Sequence, residues 1–151
     1  MDPISTRTHF TPTTELEDGE RVIASFQGDR GTYWREHAWL AAIAMAAGMG
    51  ILWAMGNPHV WTGAIGGLMA IAVRGLYLAS DETKMRWDLT DRRLLGPGPR
   101  VIWLREIEAV RSIFSAVQVV TGTGDKYLLK YQPDTARVIA EIDGARARRG
   151  A

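Results

Sequence analysis

The chain has no cysteine in its 151 residues. Disulfide frameworks, thiolate metal sites and cysteine nucleophiles are excluded at once, and the absence fits a reducing compartment. Histidine is scarce. His9, His37 and His59 stand far from one another, and none lies at a spacing from Asp or Glu that suits a metal. His37 and His59 flank the two ends of an apolar stretch and miss its middle, so both are expected at interfaces or in loops. That placement argues against a pigment- or haem-binding membrane polypeptide. Lysine is nearly missing, with three against fifteen arginines, a bias that fits a GC-rich bacterial genome. Charge of either sign is almost absent from residues 38–79, where Arg74 is the single charged side chain.

The average composition, 46% hydrophobic with a mean hydropathy of −0.10, hides this unevenness. Residues 1–37 carry four basic and seven acidic side chains, and residues 80–151 carry thirteen basic and ten acidic ones. The chain therefore divides into a polar, acidic tail, an apolar middle and a mildly basic C-terminal half. The tail has no apolar core of its own, so a cleavable secretory signal is not expected.

Ala38–Met55 is 18 residues without a charge, or ~27 Å of helix at about 1.5 Å per residue. That matches a bilayer core of ~30 Å. Val60–Ala79 adds 20 residues with Arg74 alone. Gly56-Asn57-Pro58-His59 between them stops a helix and forces an antiparallel return. The expectation is a transmembrane hairpin over 38–79, with helices at 38–55 and 60–79. Trp34, Trp39 and Tyr77 mark one headgroup level and Trp53 and Trp61 the other. Arg74, about a turn from the end of the second helix, is expected to snorkel to the nearby interface. Ala42, Ala46 and Gly50 on the first helix, and Gly63 and Gly67 on the second, form small-residue rows. They are expected to pack together or to recruit a partner subunit. The turn has no Lys or Arg, whereas Arg21, Arg30 and Arg35 precede the hairpin and Lys84, Arg86, Arg92 and Arg93 follow it. By the positive-inside rule both termini face the cytoplasm.

From residue 80 the pattern changes to short strands punctuated by turns. Lys84–Leu89 alternates, with Met85, Trp87 and Leu89 on one side. Thr90-Asp91-Arg92 is a turn, and Gly96-Pro97-Gly98-Pro99 is a hard break. Val101–Leu104 is a β-rich run, Ile107–Phe114 reads equally as strand or helix, and Ala116–Thr121 and Lys126–Tyr131 flank a hairpin turn at Gly122–Asp125. This rhythm indicates an antiparallel barrel or sandwich. Pro133-Asp134 then starts an amphipathic helix, Gly144 offers its stop, and residues 144–151 are expected to be a basic, disordered tail.

Three groups of residues carry a resemblance: Asp18-Gly19-Glu20-Arg21-Val22-Ile23 before the hairpin, Trp87–Leu94 (WDLTDRRL) after it, and Val101–Val110 (VIWLREIEAV). With two membrane helices ahead of the strands and a Pro-Asp-led helix behind them, the chain resembles bacterial pleckstrin-homology (PH) domain membrane proteins over about residues 18–143. The resemblance implies a membrane helical hairpin joined to a small α+β domain at 80–143, a PH-like antiparallel split barrel capped by a C-terminal helix. It further implies a location on the cytoplasmic face of a bacterial inner membrane and a non-enzymatic role. Some members are associated with assembly of photosynthetic complexes. About 65 residues after the hairpin are few for seven strands. Either Arg21–Phe26 supplies an extra strand or the barrel is truncated.

No catalytic constellation stands out. Gly122-Thr123-Gly124-Asp125-Lys126 lacks the phosphate-loop spacing and precedes a strand. Ser112 and Ser115 have no histidine at a hydrolase spacing. No cofactor, metal or small-molecule substrate is implied. Asp81, Glu82, Asp88 and Asp91 interleave with the basic residues and argue against nucleic acid. The expected partners are membrane lipids and other membrane-protein subunits, with the chain an accessory or assembly subunit of a larger complex, photosynthetic or respiratory. The alternative is a peripheral sensor of anionic lipid, with Lys84, Arg86, Arg92 and Arg93 as the lipid-contacting residues.

Overall fold

The computed structural model describes residues 10–150, so His9 and the rest of 1–9 lie outside the described residues. The chain forms two compact units, one made of the segment up to Asp29 together with Asp81 onward, the other of Arg30–Ser80.

The first unit is a small α+β domain. Strand β1 (Val22–Gln27) pairs antiparallel with β2 (Arg86–Thr90), although the whole helical segment lies between them in sequence. β3 (Arg93–Leu95) and β4 (Val101–Trp103) continue the sheet in the order β1-β2-β3-β4. A 3-10 turn at Leu104–Glu106 leads into a second antiparallel sheet of β5 (Ile107–Ile113), β6 (Ala116–Thr121) and β7 (Lys126–Leu129). The strand and turn periods place these elements. Trp87 and Leu89 alternate inward from β2, and Val117 and Val119 alternate inward from β6. Gly124 takes a left-handed φ of 92° at the β6–β7 turn, where a side chain would be strained. Ile107–Ile113 is strand, because six cross-strand pairs with β6 give its backbone partners and an isolated helix of that length would not persist.

A C-terminal helix packs on β5, β6 and the 3-10 turn. Asp134 caps its start, accepting from the Arg137 N–H at 3.0 Å. Val138, Ile142 and Ala145 enter one core with Phe26, Trp87, Leu89, Leu94, Ile102, Leu104 and Leu129. The expected disordered tail at 144–151 is corrected here, since the helix runs from Thr135 to Gly150. Ala145 is only 2% exposed and Arg146 donates to the Ile107 carbonyl at 2.8 Å. Packing of that last apolar position therefore carries the helix through Gly144.

The second unit is a pair of helices, α1 (Arg30–Ala54) and α2 (Trp61–Glu82), with the C-terminal helix of the domain numbered α3. Both are long and apolar enough to cross a membrane, and only 6% and 11% of their most apolar stretches are buried. α1 begins eight residues before Ala38, and Thr32, Tyr33 and His37 in this added part are buried.

Candidate functional site

Two of the three segments that carry the resemblance meet in space. Glu17–Glu20 is a tight turn, with the Glu20 N–H donating to the Glu17 carbonyl at 3.0 Å and Gly19 at φ 75°. A turn of that shape needs a left-handed third residue, which glycine supplies. It delivers the Glu20 carboxylate to the end of β2. There Thr90 Oγ donates to Glu20 Oε2 at 2.8 Å and accepts the Arg92 and Arg93 N–H groups at 3.1 and 2.8 Å. Arg93 closes the arrangement as a two-pronged clamp, Nε to Oε2 at 2.9 Å and Nη2 to Oε1 at 2.5 Å. The Glu17 N–H supplies a fourth donor to Oε1 at 2.9 Å. Arg93 also donates to the Glu15 carbonyl at 3.0 Å, and its guanidinium lies 5.3 Å from the Trp103 ring centre, within cation–π range.

Four donors occupy the roughly four acceptor positions of a carboxylate. Those hydrogen bonds, chiefly the one from Arg93, hold the Glu20 carboxyl at a pKa of about 2 against a usual 4.5, and Arg93 is raised in turn by Glu20. A carboxylate this saturated is a poor base and a poor metal ligand. The arrangement is a fastener between the segment preceding β1 and the β2–β3 turn.

It also corrects one of the expected lipid contacts, Arg93. Arg93 is 5% exposed and spent on Glu20, because the strand–turn backbone points it inward beside Thr90. Arg92 is half-buried, with Nη1 3.1 Å from Glu17 Oε2 and Nη2 donating to the Asp18 carbonyl at 3.1 Å. Arg86 Nε lies 3.1 Å from Asp88 Oδ1. Lys84 stays exposed, its ammonium 5.9 Å from the Phe10 ring centre. An anionic-lipid site built on the Arg92–Arg93 turn would lack the buried Arg93 and share Arg92 with Glu17.

Within the helical unit, Gly63 and Gly67 do face α1. A side-chain carbon at Gly63 would meet the Gly48 backbone and the Met49 nitrogen, the latter at 2.7 Å, and one at Gly67 would meet the Ala44 carbonyl and the Met45 nitrogen, the latter at 2.7 Å. The facing positions are thus Ala44 and Gly48. Ala42, Ala46 and Gly50 are exposed, which corrects the first of the two expected roles of that row, packing against Gly63 and Gly67. Two residues along a helix turn the direction by about 200°, so that row lies on the far side. The phase is set by Tyr33 and His37, stacked with ring centres 4.0 Å apart. Tyr33 donates its hydroxyl to the Gly75 carbonyl at 2.7 Å, and His37 Nδ1 bonds the Tyr33 carbonyl at 2.9 Å. A side-chain carbon at Gly75 would lie 3.0 Å from His37 Cδ2, a tight contact that favours glycine there. His37, at 4% exposure, packs inside the helix pair. The spacing Tyr33–His37–Ala41–Ala44–Gly48 was the available signal, hidden because α1 carries small residues on every face.

The aromatic residues expected at membrane interfaces point outward. Trp39, Trp53, Trp61 and Tyr77 are 69%, 75%, 61% and 81% exposed. Arg74 is exposed. Trp34 differs, lying edge-on to Tyr33 at 5.3 Å between ring centres and sharing in the helix contact.

A cavity of about 210 Å³ opens in the α+β domain, lined by Glu82, Met85, Trp87, Arg100 and Lys130 among others. Its one carboxylate, Glu82, is 3.6 Å from Lys130 Nζ. Among the described residues no group of three or more His, Asp or Glu is placed to hold a metal ion.

The fold and site define a class, a small α+β domain with a membrane-length helical pair inserted between its first two strands. Comparison of the chain with protein-family models, curated proteins and solved structures finds no match.

Proposed function

We propose that this chain is a membrane-anchored, non-enzymatic interaction protein, its PH-like domain held on the cytoplasmic face of a bacterial inner membrane as an accessory or assembly subunit of a larger complex. One observation carries the reading. The helical pair is spliced between β1 and β2, which lie side by side with Gln27 opposite Arg86. Two residues lead out of β1 and three lead into β2. Strands in one ladder are about 4.8 Å apart, so the two ends of the pair start and finish on one side of any bilayer they cross. A core helix of a soluble protein buries most of its apolar surface, whereas these helices leave nearly all of it open. Soluble proteins seldom tolerate apolar patches of that size.

The PH-like assignment draws support from the strand count, a sheet of four and a sheet of three with a helix against the second. Support also comes from the way the signature residues Glu20, Thr90 and Arg93 bond to one another. β1 supplies the strand that the short C-terminal half lacks. The partner-binding role draws on the row that α2 leaves uncovered. Ala42, Ala46 and Gly50 let another helix approach closely, and close approach drives association in lipid.

Two measurements test this. A single cysteine at His59, on the exposed turn, is expected to react with a membrane-impermeant maleimide in intact spheroplasts, while one at Thr123 reacts only after permeabilisation. Equal reaction of both in intact cells removes the hairpin topology. Second, affinity purification in mild detergent is expected to retain other membrane subunits, and Ala46→Leu together with Gly50→Leu is expected to release them. A chain that stays monomeric and alone in every mild detergent removes the subunit role.

A further inference from the structure

The α+β domain has two ends, and they differ in chemistry. At one end lie the β2–β3 turn, Asp91–Arg92, and the β6–β7 turn, Gly122–Asp125, both polar. Arg92 and Leu104 are joined there by a 3.2 Å hydrogen bond, and Glu106 and Gly122 by one of 2.9 Å. At the other end the chain leaves for and returns from the helices, and there the β5–β6 hairpin presents Ile113 and Phe114. Phe114 is 96% exposed, the most exposed of the large apolar side chains among the described residues, and Ile113 is 39% exposed. Ile113 pairs with Ala116, so Phe114 and Ser115 form a two-residue turn. Phe114 adopts φ 53° in it, a conformation normally given to glycine or asparagine. Water-exposed apolar area and an unfavourable backbone coincide at one residue.

Hydrogen bonds inside the domain fix where this tip sits. The Ser115 carbonyl accepts the Gln132 N–H at 2.8 Å, and the neighbouring Tyr131 carbonyl accepts the Asp29 N–H at 2.8 Å. Asp29 is the last residue before α1. Gln27 donates to the Thr83 carbonyl at 3.0 Å, and Thr83 directly follows α2. The tip is thus tied, two hydrogen bonds away, to the point where the chain enters the helical pair.

We propose that Ile113 and Phe114 insert into the headgroup region of the bilayer, a third point of membrane attachment that sets the domain's orientation on the surface. This rests on the membrane reading of the helices. Insertion covers the exposed ring, as interfacial apolar side chains reaching about 5–10 Å into the headgroup boundary do. Lys130 is bridged to Glu82, whereas Lys84 and Arg111 are exposed and add attraction to anionic headgroups that salt screens; the apolar insertion itself is expected to persist at high salt.

The absence of native cysteine makes the test clean. The full chain is reconstituted into phosphatidylcholine–phosphatidylglycerol vesicles with one environment-sensitive fluorophore, at Ser112→Cys, Thr123→Cys or Ala47→Cys. Lipids carry a spin label near the headgroup or near the chain end. The headgroup-level spin label is expected to reduce Ser112 emission about twofold or more, as shallow insertion requires, with Thr123 unchanged. Adding Phe114→Asp is expected to bring Ser112 to the Thr123 level, and raised salt to leave the quenching in place. Quenching at Ala47 with none at Ser112 overturns the tip proposal and leaves the helices in lipid. Ser112 shielded from aqueous iodide but insensitive to lipid spin labels means a protein contact, which also overturns it. No quenching at Ala47 sinks the membrane reading itself, and this proposal with it.

Discussion

Replacing Glu20 with alanine is expected to destabilise the α+β domain by about 3–5 kcal/mol, the cost of stranding a buried charge whose partner is removed. Arg93 would keep the Glu15 carbonyl, the Trp103 face and the charge of Glu17, while being 5% exposed. Thr90 would lose the nearer of its hydroxyl's two acceptors and keep the Arg93 carbonyl at 3.1 Å. Arg93→Ala is expected to cost a similar amount by stranding the carboxylate. Joint replacement, Glu20→Leu with Arg93→Met, is expected to cost markedly less than either single change, because no buried charge is left unpaired. Pulse proteolysis of the full chain in detergent across a urea series reads the effect. A Glu20→Ala loss within about 0.5 kcal/mol, the range of ordinary surface substitutions, would show that the fastener contributes nothing.

The same pair sets a pH response of defined sign. The folded-state pKa of Glu20 lies below its unfolded value, at about 2 against 4.5, first because of the hydrogen bond from Arg93. Its contribution is therefore complete above about pH 4.5 and is lost as pH falls from there toward 2. The shift corresponds to about 3 kcal/mol. Arg93, raised from 12.5, stays charged throughout this range and adds no slope. Stability is expected to fall across that acid window in the native chain, and Glu20→Gln is expected to flatten much of the fall. A Glu20→Gln profile parallel to the native one would assign the slope to other carboxylates.

The second large effect belongs to the helical pair. Gly63→Leu or Gly67→Leu is expected to destabilise the packed hairpin by at least about 2 kcal/mol, the scale of forcing side-chain atoms into a filled interface. The obstruction is backbone, at Gly48 and Met49 for one site and Ala44 and Met45 for the other, so no rotamer change relieves it. Gly66→Leu and Gly50→Leu add a side chain where nothing lies within 4 Å, and are expected to leave the hairpin intact. Titration with SDS from mixed micelles, followed by helix content and proteolysis, distinguishes them. A Gly50→Leu effect equal to that of Gly63→Leu would place the wrong face of α1 against α2. If Gly50→Leu also weakens subunit association while sparing the hairpin, the two rows of small residues have separate jobs.

The residue pattern alone determined much. An uncharged run from Ala38 to Met55, a second from Val60 broken by Arg74, and a Gly-Asn-Pro-His turn between them specify two membrane-length helices. Burial in lipid and helix breaking depend on local composition, which is legible one residue at a time. Alternation at Trp87 and Leu89 and the Gly-Thr-Gly-Asp turn were equally local. Other features were decided only by contacts between distant residues. Ile107–Phe114 had no helix-or-strand preference until β6 supplied cross-strand partners. Gly144 looked like a stop until the core accepted Ala145. The small residues of α1 offered several equivalent packing rows, and the stacked Tyr33 and His37 selected one. Arg92 and Arg93 read as free surface charge because Glu17 and Glu20 lie more than seventy positions away, with two helices in between. Local chemistry sets what each segment can form. Which charges are neutralised, and which faces are covered, depends on pairings that only the folded chain brings within a few ångströms.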